Sequence, residues 1–333
     1  MTEIKKIASK VLLLIVGLIA LNFVYKATLW QSDLNTYSRV DEALKTAKNA
    51  NILYLGDCSD SYFGPERDHE KGISQLLDSL LPNKTVATIS EIGFHAGMFA
   101  GILNNLPKNT NVNTVVVTMN LRAFSANILY AFSANAIQQR TIMLKERPPL
   151  VNRFLLTFKP TNIYHGPGLE SQILTQQKTN KIPLAPYNSL YDWQTAFKNG
   201  EYINFDASWT DDKKAKALGH IRNYAYQINL EQNPRITDFD EIVLNAKKKN
   251  IRLIFHILPE NIKLTNKLIG KDLTDIINYN QRLLHQRYSS ENVTIIDNME
   301  LLDGIDFIET LPNSHFYYNG RKKMAKEIAK LIK

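Results

Sequence analysis

The chain has 333 residues, enough to bury a sizeable core as one large domain or one domain with a long insertion. It is 44% hydrophobic and 22% charged, an ordinary globular balance, and its net charge of +8 does not point to nucleic acid. Lys5, Lys6 and Lys10 precede the first apolar run, while Lys322, Lys323, Lys326, Lys330 and Lys333 stud the last helix, and no basic motif with interleaved aromatics accompanies them. A single cysteine, Cys58, rules out an internal disulfide.

Residues 11–25, VLLLIVGLIALNFVY, form a predominantly apolar run without a charge, closed by Lys26. The run is shorter than the ~20 residues that cross a bilayer. Ile7 and Ala8 extend its apolar face, and Lys10 and Lys26 can snorkel toward the headgroups. No small-x-small cleavage site follows. The expectation for residues 1–27 is therefore an uncleaved signal anchor, single-pass in the cytoplasmic (inner) membrane, with a cleaved signal as the alternative. Positive charge on the short N-terminal side keeps that side in the cytoplasm, which leaves the bulk of the chain periplasmic or extracellular.

Residues 28–50 read as a linker and a polar helix. From residue 51 strands and helices alternate. NILYLG (51–56) is a strand, HEKGISQLLDSLL (69–81) a helix stopped by Pro82, and KTVATIS (84–90) a second strand. FHAGMFAGILNNL (94–106) is a helix and NTVVVTMN (113–120) a third strand. Regularity lapses over about 121–235, although 125–146 has helical character and 187–209 is dense in aromatics. It resumes with a helix at 239–250, a strand at 251–259, a helix at 272–290, a strand at 293–297 and a final helix ending in NGRKKMAKEIAKLI. Such alternation predicts a three-layer α/β/α sandwich over 51–333, with a mostly parallel five-stranded sheet and an insertion after strand three.

Ligands in such sheets collect beyond the carboxyl ends of the strands. Those ends carry Gly56-Asp57-Cys58-Ser59, Ser90-Glu91-Ile92-Gly93-Phe94-His95, Asn120-Leu121-Arg122 and Pro259-Glu260-Asn261, with His315 just before the last helix. This set resembles the SGNH (GDSL-type) hydrolase superfamily, over roughly residues 50–120 and 236–333. The resemblance implies a flavodoxin-like sheet with Cys58 at the nucleophile position, Gly93 or Gly97 and Asn120 in the oxyanion hole, and His315 as base. Asp57 matches the aspartate beside the nucleophile.

Two departures stand out. The nucleophile position holds Cys58 rather than serine. A thiolate is a competent nucleophile, and a helix N-terminus with a nearby histidine is expected to lower its pKa. Ser59 is the alternative hydroxyl, and an inactive site is the third reading. The position three residues before His315, where the superfamily carries an aspartate, is Pro312, so Glu309 or Asp306 would have to orient the imidazole. His315 reaches Cys58 only if the first and fifth strands are brought near each other.

Arg122 could receive an anionic substrate group or form a structural ion pair. His95 could line the site or start its helix, His256 reads as a core histidine, and Asp60-Ser61 as a cap. Trp193, Tyr202, Phe205 and Trp209 form either the insertion's own core or a platform for sugar rings. No histidine pair has metal-ligand spacing, and neither a metal nor a cofactor is expected. Within the superfamily the chain is similar to membrane-anchored members acting on the cell envelope. That implies an acyl esterase or O-acyltransferase on envelope polysaccharide or a teichoic-acid-like polymer, working beside a multi-spanning membrane acyltransferase. The alternatives are an inactive binding or assembly partner of such an enzyme, and a soluble cytosolic lipase-like hydrolase in which residues 11–25 pack as a core helix.

Overall fold

Five runs rich in apolar and β-branched residues form one sheet in the computed structural model: β1 (Ile52–Gly56), β2 (Val86–Ser90), β3 (Thr114–Met119), β4 (Arg252–Ile257) and β5 (Val293–Asp297). The neighbour order is β2-β1-β3-β4-β5 and every pairing is parallel. The structure describes residues 2–37, 40–61, 70–129, 134–158, 192, 195, 196 and 203–332. Trp193 and Tyr202 lie outside them, so the proposed aromatic platform is represented by Phe205 and Trp209 alone, which pack against the core.

Among the described residues the helices, in chain order, are α1 (Thr2–Thr28), α2 (Trp30–Tyr37), α3 (Val40–Ala47), α4 (Cys58–Ser61), α5 (Ile73–Leu80), α6 (Ala96–Asn104), α7 (Ala126–Leu129), α8 (Ala134–Leu144), α9 (Pro149–Thr157), α10 (Asp211–Arg222), α11 (Pro234–Lys248), α12 (Ile262–Ile269), α13 (Lys271–Tyr288) and α14 (Tyr318–Ile332). Alternation along the strands sends successive side chains to opposite faces. Ile52, Tyr54, Val116 and Ile254 meet α5 and α14 on one side. Leu53, Leu55, Val115, Val117, Leu253 and Phe255 meet α6, α11 and α13 on the other. Helix α11 begins earlier than its periodicity suggests because Asn233 caps it, accepting from Arg235 N, with Pro234 in the first turn.

The N-terminal helix is longer than its apolar run. Residues Glu3–Thr28 have a mean hydropathy of 2.4 over their most apolar window, none of which is buried. This helix is long and apolar enough to cross a membrane, and its exposure removes the core-helix reading of residues 11–25.

The expected adjacency of the first and fifth strands is not what closes the site. β3 and β4 separate β1 from β5. The chain instead leaves β5, forms a loop over 298–317 and returns as α14, which packs beside α5 over the β1 side of the sheet. In that loop Phe307 bridges Phe316, Ile308 N donates to His315 O and Tyr317 N donates to Asp306 O. Both phenylalanines are fully buried among α14 residues, and they anchor the segment that presents His315.

Candidate active site

The turn after β1 is tight. A Cβ on Gly56 would meet Tyr54 Cε1 at 2.9 Å and Asp60 Cβ at 3.3 Å, so only glycine lets the chain double back here. Asp57 Oδ1 then accepts from Ser59 N at 2.8 Å, and Ser90 Oγ donates to Asp57 O at 3.0 Å, tying the turn to the end of β2. Asp57 Oδ2 accepts from Asn120 Nδ2 at 3.1 Å. The buried Asp57 carboxylate thus holds the cysteine turn and does not face an open substrate position.

Cys58 Sγ lies 3.3 Å from His315 Nε2 and 3.4 Å from Arg122 Nη2, which donates to it. Asn313 Oδ1 accepts from His315 N at 2.8 Å, and Asn120 Nδ2 reaches Ser314 Oγ at 3.4 Å, so the ends of β1 and β3 and the terminal loop meet around the sulfur. The amide of Asn120, the expected oxyanion donor, is therefore engaged by Asp57 and Ser314. The guanidinium of Arg122 is the side-chain donor at the thiol.

Burial and the neighbouring Asp57 carboxylate push the Cys58 thiol up to about 11, against a smaller opposing pull from Arg122. This reverses the expected lowering. Burial, then the charge of Arg122, brings His315 down to about 3. The resting pair is a neutral thiol and a neutral imidazole. Arg122 donates to Sγ, and the direction of the contact between Sγ and His315 Nε2 follows the imidazole tautomer.

Ser59 is fully buried, and its Oγ finds no hydrogen-bond partner among the described residues. Its hydroxyl is closed off from solvent at the start of α4. Glu309 is also displaced: its backbone is left-handed (φ 56°) and its carboxylate pairs with Lys216 Nζ at 3.3 Å. Asp306 Oδ2 is held by Lys323 Nζ at 2.6 Å and accepts from Asp303 N. Among the described residues, neither carboxylate is among the charges that act on His315, whereas Asp57 is.

His95 caps α6 through Gly97 N, which donates to its Nδ1 at 3.1 Å, and its ring is buried against Arg235 at 2.7 Å. Arg235 in turn pairs with Asp238 at 3.0 Å, so His95 belongs to a core network and does not line the site. The same cap engages the Gly97 N–H and removes it from the oxyanion role. Gly93 sits at the exposed tip of the turn after β2 with φ 82°, a conformation that favours glycine. His256 is a core residue whose Nε2 meets Asn298 Nδ2 at 2.9 Å. Asp60 caps α5 across the turn, accepting from Ser74 N and Oγ at 2.8 and 2.9 Å.

Three further residues lie around Arg122, and two of them, His220 and Tyr224, escape sequence reasoning. His220, on α10 of the insertion, accepts from Arg122 Nη1 at 3.5 Å and packs edge-on to His315 at 6.3 Å. Burial and Arg122 bring it down to about 4, so it too is neutral. Tyr224 and Glu260 complete the surround of Arg122, and Glu260 is pushed up to about 8 by burial. Only Glu260 had a positional signal, at the end of a strand. Among the described residues, no three His, Cys, Asp or Glu side chains group as a metal site.

No protein-family model matches the chain, and no curated protein matches it. Solved structures that resemble it include a protein provisionally described as a platelet activating factor from Streptococcus pneumonia, at 11% identity and a TM-score of 0.39, covering 95% of this chain and 99% of that one. Another, provisionally described as an acylhydrolase from Bacteroides fragilis, is 10% identical with a TM-score of 0.40, covering 90% and 96%. A third, described as a possible lipase from Chitinophaga pinensis, is 10% identical with a TM-score of 0.36, covering 85% and 98%. At these scores they add nothing to the sheet topology described above.

Proposed function

We propose that the chain is a membrane-anchored acyl esterase or O-acyltransferase that uses Cys58 as nucleophile and His315 as base on an envelope polysaccharide or teichoic-acid-like polymer, with the domain outside the cytoplasmic membrane. The observation that carries the reading is the 3.3 Å approach of His315 Nε2 to Cys58 Sγ across 257 residues of sequence. In the proposed first step His315 Nε2 takes the thiol proton as sulfur attacks the ester carbonyl, and Arg122 faces the developing negative charge. The protonated imidazole then gives its proton to the leaving alkoxide. Water or a polymer hydroxyl releases the acyl group from sulfur in the second step.

The energetics allow this. The gap between about 11 at the thiol and about 3 at the imidazole sets the ion pair roughly 11 kcal/mol above the neutral pair before their attraction is counted. Unit charges 3.3 Å apart attract by about 5 kcal/mol at an effective dielectric near 20. The remaining ~6 kcal/mol lies below the ~13–17 kcal/mol barrier of ordinary enzymatic turnover. A partner in the form of a multi-spanning membrane acyltransferase supplying or receiving the acyl group accords with the anchor.

A second reading, an inactive scaffold that binds or assembles such a partner, is favoured by the placement of Glu309 and Asp306 away from His315. p-Nitrophenyl acetate separates the two. Detergent-solubilised full-length protein should release nitrophenol with turnover, and Cys58→Ala should abolish it. Equal release by wild type and variant refutes the enzyme reading.

A further inference from the structure

Helix α9 turns an apolar row away from the domain. Its inner face is fixed: Asn152 Nδ2 donates to Met143 O and Lys145 O at 3.2 and 3.0 Å, and Leu156 is buried. Its outer face carries Val151, Phe154 and Phe158, which are 42, 60 and 67% exposed. The spacing of three and four residues aligns them in one row, and the two phenylalanine rings pack edge-to-face at 5.1 Å.

This row is continuous with the exposed apolar surface of α1. Leu150 N donates to Asn22 Oδ1 at 3.0 Å, Arg153 Nε pairs with Asp33 Oδ2 at 3.0 Å, and Tyr25 OH donates to the same carboxylate at 2.6 Å. Phe23, Val24 and Leu29 on this end of α1 and the turn that follows are themselves more than half exposed. Between the flanking Lys10 and Lys26 the helix rises about 24 Å, somewhat less than the ~30 Å of a bilayer's hydrocarbon, and Asn22 lies one turn before Lys26. The α9 contact therefore falls where α1 leaves the hydrocarbon. Lys26 and Arg147 are exposed there, and Tyr25 packs edge-on to Trp30 at 6.3 Å, a composition suited to the headgroup boundary.

We propose that α9 is a second membrane contact, with Val151, Phe154 and Phe158 in the boundary between headgroups and acyl chains, and with Lys26 and Arg147 among anionic phosphates. The domain is then held at two points, the span and α9, which fixes its orientation over the membrane. The inference rests on α1 spanning the bilayer and is independent of the catalytic reading.

The test uses the full chain in vesicles of phosphatidylglycerol and phosphatidylcholine. In a Cys58→Ser background, single cysteines at Phe154→Cys, Leu14→Cys in the span and Glu291→Cys on an exposed surface carry an environment-sensitive NBD label. The expected result is a blue-shifted label at position 154 that loses most of its fluorescence to lipids bearing a nitroxide near the headgroup. The label at 291 should stay red and unquenched, and the one at 14 should respond best to a nitroxide deep in the acyl chain. A label at 154 that behaves like that at 291 overturns the proposal. A blue shift without lipid quenching overturns it as well, because protein and not lipid then covers the helix. An unquenched label at 14 removes the span on which it stands.

Discussion

The pH dependence of Cys58 reactivity follows from its surroundings with the sign opposite to that of a thiol activated in advance. At pH 8 an ordinary thiol near 9 is about one-tenth thiolate, whereas one at about 11 is about one-thousandth, a hundredfold deficit. Higher basicity makes each thiolate more nucleophilic, which recovers roughly tenfold over that interval. Alkylation by iodoacetamide, followed by intact mass, should thus run about tenfold slower than for an exposed thiol at pH 8. It should climb tenfold per pH unit without a plateau until near 11. Asp57→Asn removes a charge that raises the thiol and should bring the bend to lower pH, while Arg122→Met should carry it higher. A plateau below pH 9 in the wild type, or an Asp57→Asn profile displaced upward, refutes the reasoning.

The buried Glu260 gives a second pH signature. Its carboxyl holds a proton up to about 8 in the folded chain but only to about 4.5 in the unfolded one, so its contribution to stability is lost as pH rises between those values. Glu260→Gln should gain in melting temperature over wild type on going from pH 5 to pH 8, by at most ~3–4 kcal/mol in free energy, and an equal offset at both pH values contradicts the burial argument. Glu309→Gln should leave p-nitrophenyl acetate turnover within a factor of about two, because its partner is Lys216 at the surface; a large loss would restore Glu309 to the site. Arg235→Met should cost about 3–5 kcal/mol in urea unfolding by leaving Asp238 buried without its cation, and a smaller loss would mean that His95 and its neighbours do not form a core network.

The strands were legible because runs such as VVVTM and RLIFHI are continuously apolar or β-branched, as a sheet covered on both faces requires. The approach of Cys58 and His315 was expected from the resemblance to the SGNH superfamily that these strand-end residues carry. The route that brings them together was not, since α14 packs on α5 through side-chain interlock that periodicity alone does not pair. Arg122 was flagged by its place after Asn120, but His220 and Tyr224 arrive from an insertion without regular alternation, where position carries no information. Glu309 looked eligible by proximity in sequence, and a left-handed backbone sends it to Lys216. The direction of the thiol shift depends on burial and on the Asp57 charge, neither of which a residue string displays.

The most direct measurement is to trap the acyl-enzyme. Full-length protein quenched in acid after mixing with p-nitrophenyl acetate should carry one acetyl group on the Cys58 peptide, released by neutral hydroxylamine as a thioester is. His315→Ala, with melting unchanged, should slow its formation by roughly a hundredfold or more. An acetyl group found on Ser59 or on a lysine, or one that forms at Cys58 equally fast without His315, contradicts the account.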